Sequence, residues 1–165
     1  MLTPTHLAFV VFLGLILALD KHEWFVAVMF GVFVDIDHVF GLQRYVEANG
    51  YSAIMAASWD DGTGEPWKSL MHYPVGVVIV APLAIGWRFM LPLLFWGSHL
   101  GLDYLQTATL AHAAVVESIF LSAVIVGIFA VSFLSWRSTR SAGDVRQYLQ
   151  YLGRSLRSML YLDPA

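Results

Sequence analysis

The sequence predicts an all-α integral membrane protein, a helical bundle of about five transmembrane helices followed by an amphipathic C-terminal helix. Three observations lead there. The 165 residues are 58% hydrophobic and only 13% charged, against roughly 45–50% and 25% in soluble domains. Apolar runs of membrane-crossing length, or close to it, recur along the chain. When those runs are threaded through a bilayer, Lys and Arg collect on one side. Cysteine is absent, which excludes disulfides, thiolate metal ligands and a cysteine nucleophile. A net charge of −3, with the basic residues scattered until the C-terminus, argues against nucleic acid as a partner, because phosphate binding needs a concentrated basic face.

The first run covers 2–19. It lacks the basic n-region of a cleaved signal peptide and carries Pro4 and His6 there instead, so it is expected to remain as a span. A second run, 24–40, contains Asp35, Asp37 and His38. Residues 41–68 form the single long loop, rich in small and acidic residues; it is expected to be a solvated connection, with a lid over a site as the alternative.

Residues 75–97 form either one span interrupted by Arg88 or two spans, 69–85 and 89–106, turning at Gly86-Trp87-Arg88. As one straight helix, His72 and His99 would lie about 40 Å apart at 1.5 Å per residue. As a hairpin they return to the same side. The hairpin places Lys21, Arg88, Arg137, Arg140, Arg146, Arg154 and Arg157 on the inner side and leaves only Arg44 and Lys68 outside, as the positive-inside rule requires with a cytoplasmic C-terminus. The clearest span is 113–136, where Glu117 is the only charge.

Beyond it, Val145, Tyr148, Leu149, Leu152, Leu156, Met159 and Leu160 recur at three- and four-residue steps between Arg146, Arg154 and Arg157. That pattern is an amphipathic helix suited to an anionic cytoplasmic leaflet, so membrane lipids are the expected partner. The chain thus divides into a transmembrane domain, 1–136, and a cytoplasmic tail, 137–165.

Under this topology His6, Asp35, Asp37, His38, His72, His99 and Asp103 fall near the outer face. Ionisable groups inside spans are costly and mark function. His99 and Asp103 are i and i+4 on one helical face, and Asp35 and His38 are i and i+3. His6, Asp35, His38, His72, His99 and Asp103 are therefore the candidate metal ligands. Imidazole with carboxylate and no thiolate suits zinc, and admits manganese, nickel or iron. Asp37 points some 200° from Asp35 on a regular helix, so both reach one ion only if the helix end is distorted; otherwise Asp37 is a supporting hydrogen-bond partner or the base that deprotonates a bound water.

Glu117, near the start of the last span, is a second catalytic candidate, although it points away from His112. Taken singly, each histidine is as well explained by hydrogen bonding between helices, and His22 beside Lys21 and Glu23 reads as surface. The tryptophans read as interfacial belts.

Thr5-His6, Asp35-Ile36-Asp37-His38, the Lys68 to His72 segment and Ser98-His99-Leu100-Gly101-Leu102-Asp103, in that order and spacing, resemble the YdjM-type family of membrane-bound metal-dependent hydrolases. The resemblance covers roughly the first 110 residues. It departs at Val34, where the family has Pro, and at Trp67-Lys68-Ser69-Leu70-Met71-His72-Tyr73, which keeps only the basic residue and second histidine of His-Arg-Gly-x-Thr-His-Ser.

The resemblance implies a helical core similar to zinc-dependent phospholipase C and the single-strand-specific nucleases, with His99 and Asp103 as the His-x-x-x-Asp zinc pair. The expected activity is metal-assisted hydrolysis of an ester or phosphoester of a lipid-like substrate, with Lys68 holding a substrate phosphate. The alternatives are a non-catalytic membrane protein that binds or passes a metal ion or protons, and a structural partner in a membrane assembly.

Overall fold

The computed structural model describes residues 3–52, 70–105, 114–139 and 143–160, with the side chains of 3, 37–42, 44, 114 and 156–160 set aside. Every regular element among these residues is helical. In order they are α1 (Thr3–Ile16), α2 (Lys21–Gly31), a 3-10 turn (Phe33–Asp37), α3 (His38–Asn49), 3-10 turns at Leu70–His72 and Pro74–Gly76, α4 (Val77–Ala84), a 3-10 turn (Arg88–Met90), α5 (Leu91–Leu105), α6 (Ala114–Thr139) and α7 (Val145–Leu160). One helix, over Val115–Thr139, is long and apolar enough to cross a membrane. The other expected spans are shorter, with 14 residues in α1, 11 in α2, 8 in α4 and 15 in α5, against the ~20 needed to cross alone.

Two expectations are corrected. The run 24–40 is not one helix: α2 ends at Gly31, and Val32 leaves helical geometry at φ −130°. A glycine followed by Val32, Phe33 and Val34 supplies poor helix formers in succession, and the chain tightens there into a 3-10 turn. The stretch from 41 was read as loop, yet α3 runs to Asn49. Gln43 Nε2 donates to Glu47 Oε1 at 2.9 Å across one turn. Gly50 at φ +81° closes the helix, its N–H reaching Val46 O at 2.7 Å, so Asn49-Gly50 is a helix terminus rather than a loop interior.

Helices α1, α2 and α5 enclose one apolar cluster of Val10, Leu19, Val26, Ala27, Leu91 and Phe95. A second, Val34, Val80 and Trp96, joins the Phe33–Asp37 turn to α4 and α5. Helix α6 lies against α1, where Phe9 and Phe120 stack at 6.5 Å and Gly127 admits the Phe12 ring, which a Cβ would meet at 2.8 Å. Its remaining faces expose Val115, Ile119 and Val126. The exterior is apolar at Phe25, Val78 and Ile85 as well, while Thr5, His6, His72 and His99 are buried. An apolar exterior around buried histidines departs from the usual surface of a water-soluble domain.

The chain turns between α4 and α5, so residues 75–97 do form a hairpin. Asp20 caps α2 in a capping box: its Oδ1 accepts from the N–H groups of His22 and Glu23 at 2.8 and 2.9 Å, and Glu23 Oε2 accepts from Asp20 N–H at 2.9 Å. Arg88 reaches that turn from the hairpin. Its Nε and Nη2 donate to the two Glu23 oxygens at 2.9 and 2.7 Å, and Nη2 also reaches the carbonyls of Leu17 and Ala18 at 3.1 and 3.3 Å. Such a bidentate pair fixes orientation as well as proximity. It holds a hairpin in which Phe89 and Met90 both take positive φ, at 54° and 50°, a conformation disfavoured for bulky residues.

Glu23 lies outside the apolar run that begins at Trp24. The Arg88 guanidinium, and after it the Asp20 N–H, hold its carboxyl below the ordinary value of 4.5. A carboxyl lowered on folding stabilises the fold above its ordinary value, and that contribution fades as pH falls through the lowered one. Glu23→Gln is therefore expected to melt below the wild type at neutral pH and to converge with it in acid below 4.5. Thermal unfolding of both proteins in detergent across that range checks this, and a gap independent of pH would refute it.

Candidate metal centre

At the opposite end of the helices from the Arg88 clasp, four segments converge. His6 stands on the face of α1 that carries Val10 one turn on, and both are buried, so apolar packing aims the imidazole inward. Asp35 is presented by the Phe33–Asp37 turn. His72 ends the Leu70–His72 turn, which Trp96 pins to α5 by donating from Nε1 to Met71 O at 2.8 Å. Gly76 lets this segment close on Trp96, since a Cβ there would lie 3.1 Å from the ring and from Leu70 O. His99 and Asp103 stand one turn apart on the inward face of α5.

The Nε2 atoms of His72 and His99 face each other at 3.3 Å. Asp35 Oδ1 lies 3.2 Å from the first and 3.1 Å from the second. Asp103 Oδ2 is 3.8 and 3.4 Å from the same two nitrogens, and its Oδ1 is 3.3 Å from His6 Nε2. The His6 and His99 rings stack at 4.1 Å. A tetrahedral zinc with bonds of about 2.0–2.2 Å holds its donors about 3.3–3.6 Å apart. The donors of His72, His99 and Asp35, 3.1–3.3 Å from one another, are spaced close to that.

Hydrogen bonding supports the fit. His99 Nδ1 is 3.1 Å from Gly31 O; a carbonyl only accepts, so Nδ1 carries the hydrogen, and in the neutral ring Nε2 presents its lone pair to the cluster. Two carboxylates crowd that lone pair. Acceptors facing acceptors repel unless a proton or a cation lies between them. Moreover, His6 is buried with neither ring nitrogen in hydrogen-bond geometry, although its Nε2 is within reach of Asp103. Donor atoms of His6, Asp35 and His99, and of His72, His99 and Asp103, each lie within 4.8 Å of one another, so these groups can hold a metal ion.

The cluster opens on one side. The side chains of His6 and His72 are 1% exposed and that of His99 is 0%, against 28% for Asp35 and 19% for Asp103. The imidazoles form the floor and the carboxylates the mouth, an arrangement that admits water to one side of a bound ion.

Of the residues picked out in the sequence, the structure brings together His6, Asp35, His72, His99 and Asp103. The side chains of Asp37 and His38, and the whole of Lys68 and His112, lie outside the described residues. Glu117 belongs to neither donor group among the described residues. It is buried, and its Oε1 accepts from Thr5 Oγ1 at 2.8 Å, which ties α6 to α1 one residue from His6. His22 is exposed in the far turn.

Sequence reading missed Thr5, Gly31, Trp96 and Glu23 as supports of the site and hairpin. Only Glu23 carried a local signal, the Asp-x-x-Glu of a capping box; the rest act through contacts distant in sequence. Among the described residues, fold and cluster together define a helical protein with one membrane-length helix and a His/Asp centre able to hold a metal ion. The chain matches no known protein family, and no characterised protein or solved structure shows a significant match to it.

Proposed function

We propose that the protein is a membrane-bound metal-dependent hydrolase, with about five transmembrane segments, that acts on an ester or phosphoester of a lipid-like substrate. The observation that carries this reading is the donor set itself: two imidazole nitrogens 3.3 Å apart, with an oxygen of Asp35 and one of Asp103 each 3.1–3.8 Å from them, the imidazoles buried and the carboxylates partly exposed. Zinc is the ion we assign, from the nitrogen and oxygen donors and the 3.1–3.3 Å spacing of those of His72, His99 and Asp35. Resemblance to the YdjM-type hydrolases points the same way.

His72, His99 and Asp35 would hold the ion and leave its fourth position to water, with the Asp103 carboxylate at the mouth of the site. Its chemistry there is to acidify water and polarise a carbonyl or phosphoryl oxygen. Gly31 fixes the His99 tautomer through Nδ1. Asp103, whose second oxygen lies beside His6 Nε2, can pass a proton from water to that imidazole, which has no competing hydrogen bond. The apolar exterior around the mouth suits an amphiphile lying in the bilayer interface, and Lys68 is the candidate group for its phosphate. The collection of Lys and Arg on one side in the five-span threading supports a cytoplasmic C-terminus, with the site near the outer face of the inner membrane.

The test is turnover of p-nitrophenyl phosphorylcholine and of short-chain phospholipids by the zinc-loaded protein in mixed micelles. Hydrolysis lost on chelation and in Asp103→Ala is the expected result. Stoichiometric zinc without hydrolysis of any ester or phosphoester would sink the enzymatic reading and leave a protein that stores or passes the ion.

A further inference from the structure

The C-terminal helix α7 does not contribute to the metal cluster, and its construction points to a separate task. Residues 137–165 hold Arg137, Arg140, Arg146, Arg154 and Arg157 against two acids, Asp144 and Asp163, whereas 1–136 hold four basic and ten acidic residues. Asp144 is occupied as the cap of α7, accepting from Gln147 N–H at 2.8 Å. The tail is thus a cationic element attached to an acidic body.

One side of α7 is docked. Tyr148 is buried against α6, its hydroxyl donating to Ser132 Oγ at 2.6 Å and its ring lying 5.5 Å from both Phe133 and Trp136. Gly143 lets the connection pass over the Trp136 indole, which a Cβ would meet at 2.3 Å. Helix α7 is therefore held at the end of the apolar helix, the level at which a span leaves the bilayer.

Elsewhere on its first two turns the apolar arc is uncovered. Val145 and Leu149 are 58% and 55% exposed. Beside Leu149, an open depression of about 700 Å³ is lined by Arg146, Gln150, Gly153 and Arg154. Gly153 has open space where a side chain would stand, and Arg154 lies back along the helix, its Nε 3.4 Å from Gln150 O.

We propose that this face of α7 binds anionic phospholipid of the membrane that α6 crosses: Arg146 and Arg154 flank a lipid phosphate over Gly153 while Val145 and Leu149 enter the acyl layer. The proposal rests on the membrane reading of α6 and is independent of the metal. Charge complementarity selects this occupant. A second copy of α7 would set arginine against arginine, and a nucleic acid would leave Val145 and Leu149 uncovered. Amphipathic helices with cationic flanks bind anionic bilayers in this way, each arginine contributing about fivefold to the partition.

Because the chain has no cysteine, single labels can be placed cleanly. Full-length Leu149→Cys carrying a nitroxide is reconstituted in nanodiscs of phosphatidylcholine alone or with phosphatidylglycerol added, and its access to aqueous nickel chelate and to oxygen is measured. With phosphatidylglycerol the label is expected to lose nickel access and gain oxygen access. Arg146→Gln with Arg154→Gln should abolish that shift, and lysine at both positions should keep it.

Equal burial in both bilayers, equal water exposure in both, or protection that disappears when each disc holds one copy would each overturn the proposal. A label at Val126→Cys, on the exposed face of α6, tests the underlying membrane reading: it should be oxygen-accessible in either bilayer. Its failure overturns both claims, whereas failure at position 149 alone overturns only the lipid surface.

Discussion

Alanine at position 99 is expected to abolish metal binding, with affinity falling on the order of a hundredfold or more, beyond the 10–100-fold typical of losing a supporting partner. His99 is where the cluster is joined: its Nε2 lies within 3.1–3.4 Å of Asp35, His72 and Asp103, and both donor groups that can hold an ion include it. Removing the imidazole also leaves the Asp35 and Asp103 carboxylates facing one ring fewer. Elemental analysis of protein purified without chelators, followed by competition against a chelating dye, measures the loss. His22→Ala, exposed in the far turn, should bind as the wild type does. Retention of wild-type affinity by His99→Ala would refute the metal centre itself.

The second large effect is expected at a residue with no side chain. In Gly31→Ala the new Cβ would stand 2.4 Å from Val10 Cγ2 and 3.4 Å from Phe95 Cδ1, inside the cluster that joins α1, α2 and α5. Overpacking of this kind costs about 1–3 kcal/mol. The same displacement moves the Gly31 carbonyl away from His99 Nδ1, which frees the ring to rotate and weakens metal binding by roughly tenfold to a hundredfold. Melting temperature and metal affinity should fall together. Val10→Ala removes the clashing methyl, so the double variant Gly31→Ala with Val10→Ala should recover affinity relative to Gly31→Ala. A double variant no better than Gly31→Ala would show that the carbonyl and the packing are not coupled as described.

These two positions illustrate how the site was legible. His99 and Asp103 could be paired from sequence because i and i+4 share a helical face whatever the rest of the chain does. The choice of His and Asp, with no cysteine available, also fixed the donor chemistry at nitrogen and oxygen. Gly31 carried no such signal. Its importance lies in what approaches it from α1 and α5, residues distant in the chain, and a glycine between apolar neighbours reads as an ordinary weak point in a helix. Thr5 and Glu117, hydrogen-bonded across 112 residues, were invisible as a pair for the same reason.

By itself, then, the sequence determined the helical class, the long apolar α6, the amphipathic pattern of α7 and the ligand types, because each follows from composition or from a period shorter than two helical turns. Tertiary structure alone decided three things. It broke the expected 24–40 helix after Gly31 and turned Asp35 toward the histidines. It extended α3 through residues read as loop, where side-chain bonds and a terminal glycine outweighed a polar composition. And it closed the α4–α5 hairpin through Arg88 and Glu23, bringing His72 Nε2 to 3.3 Å from His99 Nε2 when a straight helix would hold them about 40 Å apart. Local periodicity states which face a residue occupies; where that face arrives depends on turns whose geometry is imposed by contacts from other helices.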